Sequence, residues 1–259
     1  MQRLPPRSFL EQHALIIKTG DTLALADFRV RLVDAGYRLV TQVEEHGEFA
    51  VRGSILDLFP MSSSKPFRVE FFDDEIDTIR TFDVDTQRGL DKATLIELLP
   101  AHEFPLNEAG IALFRRQYRN SFAAESKNTP IYQAVSEGQA PAGIEYYMPL
   151  FFEETSSLFA YLPQAASFVM VDGANQAMDQ FEANTADRYE QRRHDVERPI
   201  LPPEQIYLGR SEITQSLHRY TVVLTQRFEF ERTHNSTINS PTEAPGPVSY
   251  THLTLPTKA

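Results

Sequence analysis

The stretch GEFAVRGSILDLFP, residues 47–60, decides the fold of the first part of the chain. Phe49 and Val51 are separated by one residue, which is the two-residue period of a β-strand that buries one face. Gly53 interrupts this pattern at a position where we expect a β-bulge. A second apolar run, 54–59, ends at a proline, as strands often do. The stretch therefore predicts two consecutive strands.

The flanking residues continue the same period on both sides. Upstream, residues 37–43 alternate apolar and polar side chains and lead into a predicted turn at His46 and Gly47. Downstream, a serine-rich loop at 61–66 separates the stretch from another alternating run, 67–72. Short strands at close spacing with tight turns predict an antiparallel meander.

A strand and an amphipathic helix are predicted before the meander. The run HALIIK, residues 13–18, is short and apolar, as in a strand. Phe28 and Leu32 belong to a set of apolar residues at helical spacing, and Gly36 is a typical residue for the end of a helix. Together with the meander, these elements predict a small α+β domain with an antiparallel sheet over residues 14–100.

Helices and strands alternate in the later part of the chain. Residues 108–118 and 175–192 have helical patterns, whereas 158–161 and 168–171 are short apolar runs that we interpret as buried strands. Such alternation predicts an α/β layer domain. The polar residues near the C-terminus, rich in threonine, serine and proline, are typical of a linker.

The composition excludes several classes of protein. Of 259 residues, 41% are hydrophobic and 24% are charged, which is ordinary globular usage and excludes a disordered tail. The chain has no cysteine, which excludes disulfides and thiol nucleophiles and fits a cytoplasmic protein. No apolar run approaches the roughly 18 residues of a membrane helix. Because the sequence has no glycine-rich phosphate loop, nothing in it supports nucleotide binding.

The net charge also limits the partners that we expect. The chain has 25 Lys and Arg against 36 Asp and Glu, a net charge of −11. Such an average field repels duplex DNA, since non-specific binding depends on neutralising phosphates. We therefore expect a protein or a small molecule as the partner.

Two acidic features have competing interpretations. An acidic run, 73–75, with Asp77 nearby, would suit a metal or an acid–base site of a hydrolase. Successive strand residues point to opposite faces, however, so a solvated turn is the plainer interpretation. Asp57 stands between two leucines. It is either a buried acid, or else a turn or cap acceptor or the partner of a nearby arginine.

The polar side of the third predicted strand has the most informative pattern. The apolar residues of this strand form its core side, whereas the opposite side carries Arg68 and ends in Phe72. Arg52 of a neighbouring strand belongs to the same side. An aromatic residue beside arginine on an exposed sheet face has the composition of an interface hot spot. The alternative is that Phe72 packs beneath the serine-rich loop and the arginines pair with Glu48 or Glu70.

Several stretches of the sequence resemble a known family. Residues 47–60 are similar to the G-x-F-x-V-R-G-x-x-x-D-[IL]-F-P signature shared by UvrB and the transcription-repair coupling factors (Mfd). Residues 67–77 are similar to the strand pair that follows this signature in the family. Three further stretches favour the coupling factors over UvrB: 99–105, 141–152 and 198–203. UvrB would also require a phosphate loop and a tyrosine-rich hairpin upstream.

The resemblance implies a piece of a longer chain, in which Met1 is an internal methionine. It implies that residues 14–100 are a UvrA-binding domain, inserted into a degenerate helicase-like α/β domain that lacks ATPase motifs. The two parts of that helicase-like domain would be residues 1–13 and 101–233. Residues 234–259 would be a linker plus a non-native tail, since the end of the sequence departs from the family and looks like translated adapter sequence.

The resemblance also implies a function. This segment would be a protein-interaction module that recruits UvrA to stalled RNA polymerase for nucleotide-excision repair. The UvrA contact would be made by Arg52, Arg68 and Phe72, with no catalytic residue, metal or cofactor in this segment. ATP, Mg²⁺, DNA and RNA polymerase would bind absent domains of the full-length parent, an ATP-dependent DNA translocase. The alternative is a fragment of a UvrB-like damage-binding helicase that contacts DNA itself.

Overall fold

A six-stranded sheet occupies the first hundred residues in the computed structural model, which describes residues 1–122 and 128–225. Three elements precede it: α1 (Arg7–His13), β1 (Leu15–Lys18) and α2 (Leu25–Asp34). The strands of the sheet are β2 (Arg38–Leu39), β3 (Glu48–Arg52), β4 (Ile55–Leu58), β5 (Phe67–Phe72), β6 (Glu75–Phe82) and β7 (Gly89–Ala93). A further strand, β8 (Leu95–Leu98), pairs antiparallel with β1.

The six strands lie in chain order across the sheet. β2 is parallel to β3, and the other neighbouring pairs are antiparallel, so the predicted meander is confirmed. Arg52 pairs with Ile55, so Gly53 and Ser54 form the turn of the β3–β4 hairpin. Gly53 has a φ of +63°, the left-handed conformation that such a two-residue turn uses. The predicted β-bulge at Gly53 is therefore wrong.

The strand predicted over residues 37–43 is much shorter than expected. Only β2, two residues long, belongs to the sheet. Beyond it, the N–H groups of Glu44 and Glu45 donate to the carboxylate of Glu48 at 2.8 and 2.9 Å. Because these donors bond a side chain rather than a neighbouring strand, the apolar alternation does not extend the ladder. The predicted turn at Gly47 is confirmed, and its φ is +80°.

The core of this region lies between α2 and one side of the sheet, which we call the inner face; the opposite side is the outer face. Phe28 and Leu32 of α2 are fully buried against the sheet, as their helical spacing predicts. The other members of this buried cluster are Leu15, Ile17, Ala35, Tyr37, Phe49, Leu56, Leu58, Val69, Phe71, Ile76, Ile79, Ile96 and Leu98. Gly36, with a φ of +86°, follows the helix as predicted.

Helices and one small sheet make up the described residues after β8. They are α3 (Glu108–Ser121), α4 (Pro130–Ser136), a 3-10 helix (Ile144–Phe151), α5 (Leu158–Tyr161), β9 (Ser167–Met170), α6 (Ala174–Arg192), α7 (Pro203–Ile206), α8 (Arg210–Leu217) and β10 (Thr221–Leu224). A second core joins α3, α4 and the 3-10 helix around Phe114 and Tyr118. The two long helices predicted from the sequence are confirmed as α3 and α6.

The two strands predicted in this part have different outcomes. Residues 158–161 form the single-turn helix α5, so that prediction is wrong. Phe159 is buried beside Leu208 and Ile213, and a four-residue apolar run packs equally well in a helix or a strand. Residues 168–171 overlap β9, which pairs parallel with β10, but its Val169 is 63% exposed rather than buried.

The first residues of the chain pack against the later part. Leu4 forms an antiparallel bridge with Ser156, and Arg3 forms an ion pair with Glu212 at 2.9 Å. The predicted linker and tail, 234–259, lie outside the described residues. None of the helices in the described ranges combines the length and apolar composition that crossing a membrane requires. The chain is thus a mixed α/β protein with small antiparallel sheets.

Candidate protein-interaction site

Two strands of the sheet bring Arg52, Arg68 and Phe72 to the outer face. Arg52 ends β3 and Phe72 ends β5. Both strands are antiparallel to β4, so they run in the same direction and finish at the same end of the sheet. Arg68 lies further back on β5, where it pairs with Asp57 of β4. Val69 is buried on the inner face, which confirms the alternation predicted for β5.

A buried carboxylate joins the two arginines. The Asp57 side chain is 1% exposed. Arg68 donates to it from Nε to Oδ1 at 2.6 Å and from Nη2 to Oδ2 at 2.9 Å, which is a bidentate ion pair. Arg52 donates from Nη2 to Oδ2 of the same carboxylate. We call these three residues the arginine cluster; of the interpretations offered for Asp57, partnership with a nearby arginine is confirmed.

Arg68 is the inner member of the arginine cluster. Its Nη1 donates to the carbonyl oxygen of Gln87 at 3.2 Å, and its guanidinium lies 5.0 Å from the ring centroid of Phe82. The hydrogen bonds to Asp57 raise the pKa of Arg68, and burial opposes that shift. The Arg68 side chain is 17% exposed, whereas that of Arg52 is 49% exposed. Arg52 is therefore the member that a partner can reach.

Phe72 is the most exposed large apolar side chain of the outer face. It is 73% exposed at the end of β5, directly before the Asp73–Asp74 hairpin turn. An aromatic ring at this exposure leaves a large apolar area in water. The alternative that Phe72 packs beneath the loop at 61–66 is therefore wrong.

Among the described residues, neither glutamate named in the same alternative forms an ion pair with Arg52 or Arg68. Glu48 pairs with Arg38, and Arg52 and Arg68 pair with Asp57 instead. Burial of Glu48 opposes its ionisation, but the backbone donors of Glu44 and Glu45 and the Arg38 guanidinium outweigh burial and lower its pKa. Glu48 thus fixes the bend after β2 rather than the arginine cluster.

The acidic run at 73–75 lies at the turn between β5 and β6. Asp73 and Asp74 connect β5 to β6, and both are exposed, as is Asp77. In residues 1–122 and 128–225, no group of three or more acidic, histidine or cysteine side chains is arranged to hold a metal ion. A solvated turn, the plainer interpretation, is what the geometry supports.

Sequence reasoning missed two basic residues on the same face. Arg80 of β6 pairs with Arg68 on one side and with Lys92 of β7 on the other, so three basic side chains form a row across the sheet. The Nε of Arg80 is buried without a hydrogen-bond partner among the described residues. The alternation in β6 contained a signal for Arg80, but the register that aligns it with Arg68 includes a shift between Glu70 and Phe71.

Residues 15–104 match the protein family described as the UvrB interaction domain. The match covers β1 to β8, and thus every strand of the six-stranded sheet and the whole arginine cluster with Phe72. The buried core around α2 and the sheet, from Leu15 to Leu98, lies entirely within this match.

Curated relatives extend the similarity over most of the chain. The chain is 51% identical over 222 residues to a transcription-repair-coupling factor of Haemophilus influenzae, and 48% identical over 221 residues to one of Escherichia coli. Each match covers 85% of this chain and 19% of the relative, so the chain spans about a fifth of their length. A Bacillus subtilis relative is 29% identical over 181 residues, 64% of this chain and 15% of that protein. The chain therefore belongs to the transcription-repair-coupling factor family, as a segment that contains its UvrB interaction domain.

Proposed function

We propose that the outer face of the six-stranded sheet docks UvrA, and that this segment thereby recruits UvrA to stalled RNA polymerase for nucleotide-excision repair. One observation carries the proposal: Phe72, 73% exposed, lies at the same end of the sheet as Arg52, inside the UvrB interaction domain. Aromatic and arginine side chains dominate the binding energy of many interfaces. Arg52, Arg68 and Phe72 are the proposed contact residues.

The charges of the arginine cluster favour an acidic partner. Arg52 and Arg68 both pair with the single carboxylate of Asp57, whereas Glu48 of the same face pairs with Arg38. The cluster therefore has a net charge of +1 within a chain whose net charge is −11. Complementary potentials steer association and reject partners of the wrong sign. The docking surface of UvrA should therefore present carboxylates to Arg52.

We also propose that residues 14–100 are a docking domain inserted into a degenerate helicase-like domain formed by 1–13 and 101–233. The pairing of β1 with β8 supports this, because it brings the two ends of the docking domain together. The bridge from Leu4 to Ser156 supports it as well, since it joins the first residues to the later part. The parallel pairing of β9 with β10 fits a part of a larger α/β domain, since parallel sheets usually have more strands and helices on their faces.

The proposed role of this segment is recognition without chemistry. We assign no catalytic residue, cofactor or metal to it. Contacts with RNA polymerase and DNA, and the binding of ATP and Mg²⁺, we assign to segments of the full-length protein outside this chain.

Calorimetry of the chain with purified UvrA tests the docking surface. We expect Arg52→Glu to abolish detectable binding, because it replaces the accessible cation with an anion. Phe72→Ala should weaken binding at least tenfold, since it removes the exposed ring. Arg29→Glu is the matched control: Arg29 is exposed on α2, on the other side of the sheet, and its reversal should leave the affinity within twofold.

Two results would overturn the docking proposal. Wild-type chain that is folded by circular dichroism but does not bind UvrA would refute it directly. Equal losses in Arg52→Glu and Arg29→Glu would show that net charge, rather than this surface, controls binding. A gel-shift titration with duplex DNA at several salt concentrations tests the UvrB-like alternative, which predicts tight binding that weakens steeply with salt.

A further inference from the structure

Arg52 and Arg68 differ in how many of their side-chain nitrogens are bonded within the domain. The bidentate pair uses the Nε and Nη2 groups of Arg68, and the Gln87 carbonyl accepts from its Nη1. All three nitrogens of Arg68 are therefore engaged within the domain. In the described ranges, Arg52 has one side-chain acceptor, Asp57, and uses only Nη2 to reach it. The Nε and Nη1 groups of Arg52 remain for acceptors outside the domain.

The position of Asp57 explains how Arg52 is held. Ile55 is the residue directly opposite Arg52, and Asp57 is two residues further along β4, so the contact is diagonal across the hairpin. An unrestrained arginine side chain populates many rotamers and loses that freedom on binding. A carboxylate at 1% exposure that accepts from Arg52 restricts its guanidinium before a partner arrives.

Electrostatics require a carboxylate at this place. Arg68 lies in register with Arg80, and Arg52 and Arg68 share the carboxylate of Asp57, so positive side chains meet at this part of the outer face. Without an anion among them, the guanidinium groups would repel one another and separate. Asp57 cancels one charge and leaves the cluster with a net charge of +1, which Arg52 presents at the more exposed position.

We propose that Asp57 is a positioning residue of the docking surface: anchored by Arg68, it holds Arg52 in the orientation in which Arg52 receives a carboxylate of the partner. This inference rests on the proposed UvrA docking and adds to it a residue that does not itself touch UvrA. Of the two proposed arginine contacts, Arg52 then makes the more accessible one, and Arg68 also anchors Asp57.

A double-mutant cycle on the chain with UvrA tests this assignment. Asp57→Asn keeps the shape of the side chain and removes its charge. We expect it to weaken UvrA binding about tenfold in the wild-type background and to have no further effect in an Arg52→Ala background, because its effect passes through Arg52. Asp34→Asn, an equal charge change at an exposed position of α2, is the control and should leave the affinity within twofold.

The side-chain NMR signals of the arginines supply a readout that does not depend on UvrA. In the wild-type chain we expect the Nη2–H signals of Arg52 and Arg68 to be resolved and slowed in exchange with water, and in Asp57→Asn the Arg52 signal should become that of a free guanidinium. If Asp57→Asn does not fold, the wild-type spectrum decides: a freely rotating Arg52 would overturn the proposal.

The remaining outcomes separate this inference from the docking proposal. An equal loss of affinity from Asp57→Asn in both backgrounds would overturn it, since Asp57 would then support the domain in general. Unchanged affinity in Asp57→Asn would overturn it as well. If wild-type chain does not bind UvrA although the Arg52 signal responds to Asp57→Asn, the docking proposal fails while the positioning of Arg52 by Asp57 stands.

Discussion

The two main sheets of the molecule differ in how they cover their apolar residues. In the six-stranded sheet, Leu56 and Ile76 are completely buried beneath α2 and the β1–β8 pair. In the β9–β10 pair, Val169 and Leu224 are 63% and 65% exposed. Both regions consist of short apolar strands, so the strand sequence alone does not decide burial. What decides it is whether the same segment also supplies the elements that pack on the apolar face of the sheet.

The largest expected effect comes from a substitution in the core between α2 and the six-stranded sheet. Leu56→Ala removes a fully buried side chain at the centre of the inner face and should lower the free energy of unfolding of this region by about 3–5 kcal/mol. Val223→Ala in β10 should cost under about 0.5 kcal/mol, because that side chain is already half exposed. Hydrogen–deuterium exchange with mass spectrometry measures the two regions separately. Similar losses of protection in both variants would contradict the comparison.

The sequence patterns predicted the six-stranded sheet better than the later part of the chain that contains the β9–β10 pair. The alternation in 67–72 placed Val69 inside and Phe72 outside, because a strand with one covered face has a strict two-residue period. The run at 158–161 is too short for any period to appear, and it became α5 through packing of Phe159. Long-range packing of this kind is not contained in a local pattern.

The candidate site was predicted in part for the same reason. The alternation of side chains along each strand predicted that Arg52, Arg68 and Phe72 share one face, and the structure agrees. This alternation does not determine which residues of neighbouring strands lie opposite each other, however. Pairing of Asp57 with both arginines depends on the register of β3, β4 and β5, and only the structure supplied that register.

A smaller effect is expected at the contact between the end of α2 and the residues that follow β8. Gly36 has a φ of +86°, and a Cβ there would lie 2.9 Å from Cδ2 of His102. Gly36→Ala should therefore cost about 2 kcal/mol, from left-handed strain together with this contact. Gly20 has a φ of +88° but open space around it, so Gly20→Ala pays only for the strain. Chemical denaturation followed by circular dichroism gives the difference between the two variants.

Equal costs for Gly36→Ala and Gly20→Ala would mean that His102 moves aside without loss. The contact between α2 and the residues after β8 would then be loose, although the Ala101 N–H donates to the Ala35 carbonyl at 2.8 Å. A larger loss of stability in Gly36→Ala than in Gly20→Ala would show that the core between α2 and the sheet extends to this contact. His102 would then be packed as part of that core.

The smallest expected effect concerns the buried carboxylate that fixes the bend after β2. Glu48 has a pKa below its ordinary value near 4.5, because hydrogen bonds from the backbone and Arg38 outweigh the cost of burial. A carboxyl group whose pKa is lowered by folding stabilises the protein above its unfolded pKa and loses that contribution as the pH falls through its folded pKa. Glu48→Gln should therefore cost about 1 kcal/mol at pH 7 and less near pH 3.

Denaturation of wild type and Glu48→Gln at both pH values measures this convergence. Glu97→Gln is the control: Glu97 is exposed on β8, so the variant should follow wild type at both pH values. A Glu48→Gln cost that persists unchanged at pH 3 would show that the side chain acts through packing rather than charge. Convergence would instead show that the six-stranded sheet depends on the charge of Glu48, which is buried, as well as on its apolar core.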